Sequence, residues 1–126
     1  MKKLYLTKSS QIALNEILYL KSDENYTTVH TTNQERLLVA RTLRVMQERI
    51  NDEFTFIRIS NNHVVNIHFM NGWRKEDKKL LIILEDGQEL IVSRRRISDF
   101  REAIRKTPKA ILLKKKQSQV KNIKTL

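Results

Sequence analysis

Between Phe56 and Met70 apolar and polar residues alternate in two runs that meet at Ser60-Asn61-Asn62-His63. Period-two alternation predicts a strand on each side, with Val64, Val65 and Ile67 in the core, and the polar cluster predicts a turn between them. Asn and Ser satisfy a turn's backbone and keep hydrogen-bonding capacity for an outside partner. A turn that only connects two strands has the same signature, so the rest of the chain must decide between the two.

Upstream, Leu4 to Leu6 reads as a short first strand and Thr7 to Gln11 as a polar loop. Ile12 to Leu14 and Ile17 to Leu20 are strand-like, and Lys21-Ser22-Asp23-Glu24-Asn25 forms a turn cluster. Tyr26, Thr28 and His30 then alternate with Thr27, Val29 and Thr31, a β-branched strand with one polar face. Thr32-Asn33-Gln34 turns the chain and Arg36 to Ala40 returns. Leu43, Met46 and Ile50 recur at helical spacing, with Thr42 placed to cap that helix and Asn51 to end it. So short a helix needs a sheet beneath its apolar stripe to be stable.

Downstream, Asn71-Gly72 punctuates and Trp73 to Lys79 reads as a basic, polar loop. Asp86-Gly87 between the apolar runs Leu80 to Leu84 and Leu90 to Val92 is a strong hairpin signal. Ser93 stands where it could cap a second helix with the stripe Ile97, Phe100 and Ile104, closed by Pro108. The fold class is therefore mostly β, with small antiparallel sheets and one or two short helices.

Charge changes this picture. Residues 1–90 hold 13 Lys and Arg against 12 Asp and Glu, whereas residues 91–126 hold 12 against 2, so nearly all of the net +11 lies at the C-terminal end. A block this one-sided favours a polyanion, with nucleic acid ahead of an anionic membrane surface, although a solubilising tail would also be basic. Three of these cations, Arg94, Arg95 and Arg96, fall in the expected first turn of the second helix, where they oppose its dipole. An external anion would supply the missing compensation, and guanidinium groups bind phosphates and guanine edges bidentately. Residues 108–126 carry Lys109, Lys114, Lys115, Lys116, Lys121 and Lys124 and no acid. They read as a flexible basic tail, separate from a domain spanning 1–107, that adds nonspecific phosphate attraction.

Composition narrows the chemistry further. At 126 residues the chain is one domain, and without cysteine it has no disulfide, zinc ribbon or thiol nucleophile. His30, His63 and His68 match no zinc spacing, and two glycines are too few for a phosphate-cradling loop. No Ser lies in a nucleophile elbow. Neither enzyme, metal nor cofactor is expected. The apolar start Leu4-Tyr5-Leu6 is too short for a signal peptide, which predicts a cytoplasmic protein.

The order of these features resembles the LytTR DNA-binding domain of bacterial transcription regulators. The matching pieces are Ile17-Leu18-Tyr19-Leu20 followed by Glu24-Asn25-Tyr26 and Val29-His30, then Thr42-Leu43, then Phe54 to Arg58 leading to Val64-Val65-Asn66, and finally Asp86-Gly87 leading to Val92-Ser93-Arg94-Arg95. The resemblance implies an elongated array of small sheets that sets loops into successive major grooves of double-stranded DNA at repeated half-sites, with a dimer on the DNA as one arrangement. By motif position it implies base contacts from Asn25, Asn61 and Arg95, and Asn suits an adenine edge as Arg suits guanine. Tyr26, Arg58, Asn62, Ser93, Arg94 and Arg96 are the neighbours for phosphate contact or loop support, though packing or solvation would equally explain Tyr26 and Arg58. The chain departs from the family's Arg-x-His-(Arg or Lys)-Ser, having Arg58-Ile59-Ser60-Asn61-Asn62. No receiver domain accompanies it, so the expectation is a stand-alone regulator or a fragment. The alternative is a basic RNA- or ribosome-associated structural protein, against which stands the scarcity of aromatics in the candidate loops.

Overall fold

The computed structural model describes residues 3–7, 9–52 and 55–106. Among these, the strands in chain order are β1 (Lys3–Tyr5), β2 (Gln11–Ala13), β3 (Ile17–Asp23), β4 (Tyr26–Thr31), β5 (Arg36–Val39), β6 (Phe56–Arg58), β7 (His63–Asn66), β8 (Met70–Glu76), β9 (Lys79–Leu84) and β10 (Glu89–Val92). Helix α1 (Leu43–Ile50) follows β5, and α2 (Ile97–Lys106) follows β10. All pairing is antiparallel: β1 with β2, a three-stranded sheet β10-β9-β8, and a five-stranded sheet β5-β4-β3-β7-β6.

The five-stranded sheet is apolar on both faces, which is why its central strands read as continuous hydrophobic runs. On one side Leu20, Val29, Phe56 and Val64 pack with Leu4 and Ile12 of the β1–β2 hairpin and Met46 of α1. On the other, Tyr19, Ile57 and Val65 pack with Ile82, Leu84 and Leu90 of the three-stranded sheet and Phe100 of α2. Consecutive residues such as Val64 and Val65 thus enter opposite cores, as strand alternation requires.

Local chemistry fixes the ends. The Thr42 hydroxyl accepts from the Val45 amide at 3.3 Å, and Asn51 closes α1 in the left-handed region at φ 48°. At the end of β7 the buried Asn66 donates to the Ile17 carbonyl at 2.9 Å and accepts from the His68 amide at 3.0 Å, so a polar side chain between the cores is satisfied.

Three expectations are corrected. Trp73 to Lys79 is not a loop: β8 runs through Glu76, and only Asp77 and Lys78 turn the chain. Lys21 to Asp23 belong to β3, leaving a two-residue turn at Glu24 and Asn25. Arg94–Arg96 form a separate 3-10 turn ahead of α2, and Ser93 caps it with no side-chain bond. The first turn of α2 holds Asp99, the charge its dipole favours, so the opposition inferred between the arginines and that dipole is not built. Pro108 and the six tail lysines lie outside the described residues.

Candidate nucleic-acid interface

The first candidate element is the tip of the β3–β4 hairpin. Asp23 pairs with Tyr26, so Glu24 and Asn25 alone span the turn, and Glu24 takes φ 57° to do so. Left-handed residues in a two-residue turn match the twist of the strands they join. The tip exposes the Asn25 side chain beside Tyr26, which is itself 48% exposed.

The second is the Ser60–Asn62 turn between β6 and β7, which is held through its main chain. Four consecutive carbonyls each accept a bond: Ile59 from the Ser93 amide at 2.7 Å, Ser60 from Arg58 Nε at 2.8 Å, Asn61 from Arg58 Nη2 at 2.9 Å, and Asn62 from the Ser22 amide at 2.8 Å. Arg58 reaches these acceptors with its remaining nitrogen on Gln47 Oε1 of α1 at 3.3 Å. Inside the turn the Ser60 hydroxyl accepts from the Asn62 amide at 3.1 Å and lies 3.3 Å from His63 Nδ1. The Arg58 guanidinium thus links two carbonyls of the turn to α1. Asn61 and Asn62 are exposed, but the Asn62 side-chain oxygen accepts from the Ser22 hydroxyl at 3.2 Å.

The third is the Arg94–Arg96 turn. Its root is joined to the Ser60–Asn62 turn by the Ser93–Ile59 bond, and its tip by a bond from Arg95 Nη2 to Asn61 Oδ1. Arg94 and Arg95 are exposed, whereas Arg96 is half-buried with its guanidinium 3.8 Å from Asp99. The buried Ser93 Oγ and Arg96 Nε have no partner among the described residues. Burial, then the charges of Arg96 and Arg95, lower the pKa of Arg58, although a guanidinium stays protonated at any physiological pH. Mutually repelling cations beside exposed amides suit an anionic surface with readable edges.

Asn61 and Arg95 are thus in direct contact, and Ser22 ties Asn62 to the strand that leads to Asn25 three residues later. Sequence patterning missed Ser22 and Gln47. The β3–β7 register, which sets Lys21 opposite His63, puts Ser22 beside the Ser60–Asn62 turn, and that register is written in the fold rather than in any local motif.

Behind the turn, Tyr19 stacks on His30 with ring centroids 4.1 Å apart and tilts toward His63 at 6.1 Å. Its hydroxyl donates to Gln88 Oε1 at 2.9 Å. Burial above all lowers the pKa of both histidines, aided by Arg36 and Lys21 at His30 and by Lys21 at His63. No group of three or more metal-ligating side chains converges among the described residues. No helix among them is long and apolar enough to cross a membrane.

A family model described as the LytTr DNA-binding domain matches residues 7–105. A similar solved structure is the LytTr DNA-binding domain of a protein described as a methyl-accepting/DNA response regulator from Bacillus cereus. It superimposes with a TM-score of 0.62 at 20% identity, over 82% of this chain and 94% of that one. That likeness agrees with the three-sheet, two-helix architecture. No curated protein matches.

Proposed function

Because the chain belongs to the LytTr DNA-binding domain family, whose members bind double-stranded DNA as parts of transcription regulators, we propose that it is a sequence-specific bacterial regulator working in the cytoplasm. The β3–β4 tip, the Ser60–Asn62 turn and the Arg94–Arg96 turn enter successive major grooves. Asn25, Asn61 and Arg95 face base edges, while Arg94, Arg96 and Tyr26 lie toward the backbone. Asn62, Ser93 and Arg58 support the loops. The observation that carries this proposal is the bonded series from Ser22 through the Ser60–Asn62 turn to Ser93 and Arg95, which joins two of the three candidate elements directly and the third through β3.

Repeated half-sites would engage two copies of the domain. Residues 1–107 form the domain in this proposal, and residues 108–126 add sequence-independent attraction through their lysines. Selection from random duplex DNA, followed by titration of the selected site across salt concentrations, tests the whole proposal. A repeated consensus bound well above random duplex is the expected result. Equal affinity for all duplexes, or preference for single-stranded or structured RNA, would replace it with the RNA- or ribosome-associated role.

A further inference from the structure

An asparagine that reads adenine in the major groove uses its side chain in two ways at once: the amide oxygen accepts from the adenine amino group and the amide nitrogen donates to N7. At Asn61 the oxygen already accepts from Arg95 Nη2, which engages one of its two lone pairs and ties the amide's orientation to the guanidinium. The peptide carrying it is also fixed, since the Asn61 carbonyl accepts from Arg58, and Arg58 is held in turn by Gln47 of α1. The guanidinium has five donors, so Arg95 keeps enough after bonding Asn61 to address a guanine O6 and N7 together. The root of its turn is set by the Ser93–Ile59 bond. Each end of Arg95 is therefore positioned by the Ser60–Asn62 turn.

We infer that Asn61 is a positioning residue for Arg95 and does not read an adenine of its own, so that the two side chains together specify one base pair, a guanine read by Arg95. This rests on the DNA-binding proposal above and divides the labour within it differently from two independent base contacts. The feature required of residue 61 is an acceptor at the end of a short side chain. Aspartate supplies that acceptor; alanine does not.

The test measures base preference rather than affinity alone. Duplexes carrying every single-base change of the selected site compete for the wild type, Arg95→Ala, Asn61→Ala, Asn61→Asp and the Asn61→Ala/Arg95→Ala double variant, with circular dichroism confirming that each is folded. Arg95→Ala is expected to lose discrimination at one guanine by about tenfold to a hundredfold. Asn61→Ala should lose it at the same base pair, with no added loss there in the double variant. Asn61→Asp should keep that preference, even as its carboxylate weakens binding to every duplex alike. Loss of discrimination at a different base pair in Asn61→Ala, or loss in Asn61→Asp equal to that in Asn61→Ala, overturns the inference and leaves the DNA-binding proposal standing. A wild type without base preference overturns both.

Discussion

Arg58 shows how a single side chain converts a strand end into a shaped loop. Its guanidinium spans the Ser60 and Asn61 carbonyls and the Gln47 amide oxygen, three acceptors on two elements. A lysine has the charge but not the planar fork, and cannot hold the same acceptors together. Arg58→Lys is therefore expected to lower affinity for the selected site by about tenfold relative to random duplex, as charged hydrogen bonds are lost from the loop. Competition binding checks this; an unchanged preference would show that the Arg58 bonds do not govern the reading surface. The histidines beside Tyr19 give a second residue-scale expectation. Both are held below the ordinary value of 6.5, chiefly by burial, so below that pH the folded state binds fewer protons than the unfolded chain. Unfolding then takes up protons, and stability declines as pH falls from 6.5 to the lowered folded-state values, with no further loss from these groups below them. Urea midpoints measured between pH 7 and 5 should fall. They should fall less in His30→Phe, which keeps an aromatic ring on Tyr19 but cannot titrate.

At the scale of elements, α1 holds the Gln47 end of that support, so its integrity matters to the loop. Replacing the capping Thr42 by alanine removes the acceptor for the Val45 amide and should cost about 1 kcal/mol by chemical denaturation. A change within a few tenths would mean the cap is dispensable. Both ends of α1 and the Asp86-Gly87 hairpin were legible in the sequence because each rests on local chemistry: a hydroxyl cap, a left-handed Asn51, and Gly87 at φ 86°. Strand β8 was not legible. It is an edge strand with exposed positions along its length, and a register shift between Met70 and Gly72 absorbs the glycine that reads as a break. The shape of the arginine turn was not legible either. The Ser93 amide is committed to Ile59, a partner 34 positions away that no local pattern can reveal.

Across the whole molecule, the three candidate elements draw on two sheets and the start of one helix, so their spacing depends on both cores. The sequence named Asn25, Asn61 and Arg95 by motif position, while their connection depends on the β3–β7 register and the Ser93–Ile59 bond. The net charge works on another level. Deleting residues 108–126 removes six lysines and should leave base preference intact while flattening the dependence of affinity on salt, by at most about 0.9 in logarithmic slope for each lysine that meets a phosphate. Salt titrations of the full and shortened chains check this, and loss of preference on deletion would move recognition into the tail.

The four carbonyls from Ile59 to Asn62 have a consequence for how such a protein can change over time. Because four carbonyls anchor the loop through its main chain, its shape rests only in part on the side chains at positions 60–62, through the Ser60 and Asn62 bonds, and Asn61 at its tip adds no side-chain bond within the turn. A substitution at Asn61 would change the outward chemistry while leaving the bonds inside the turn in place. A frame held in large part by backbone carbonyls lets a lineage retarget its regulator by changing the side chain at its tip.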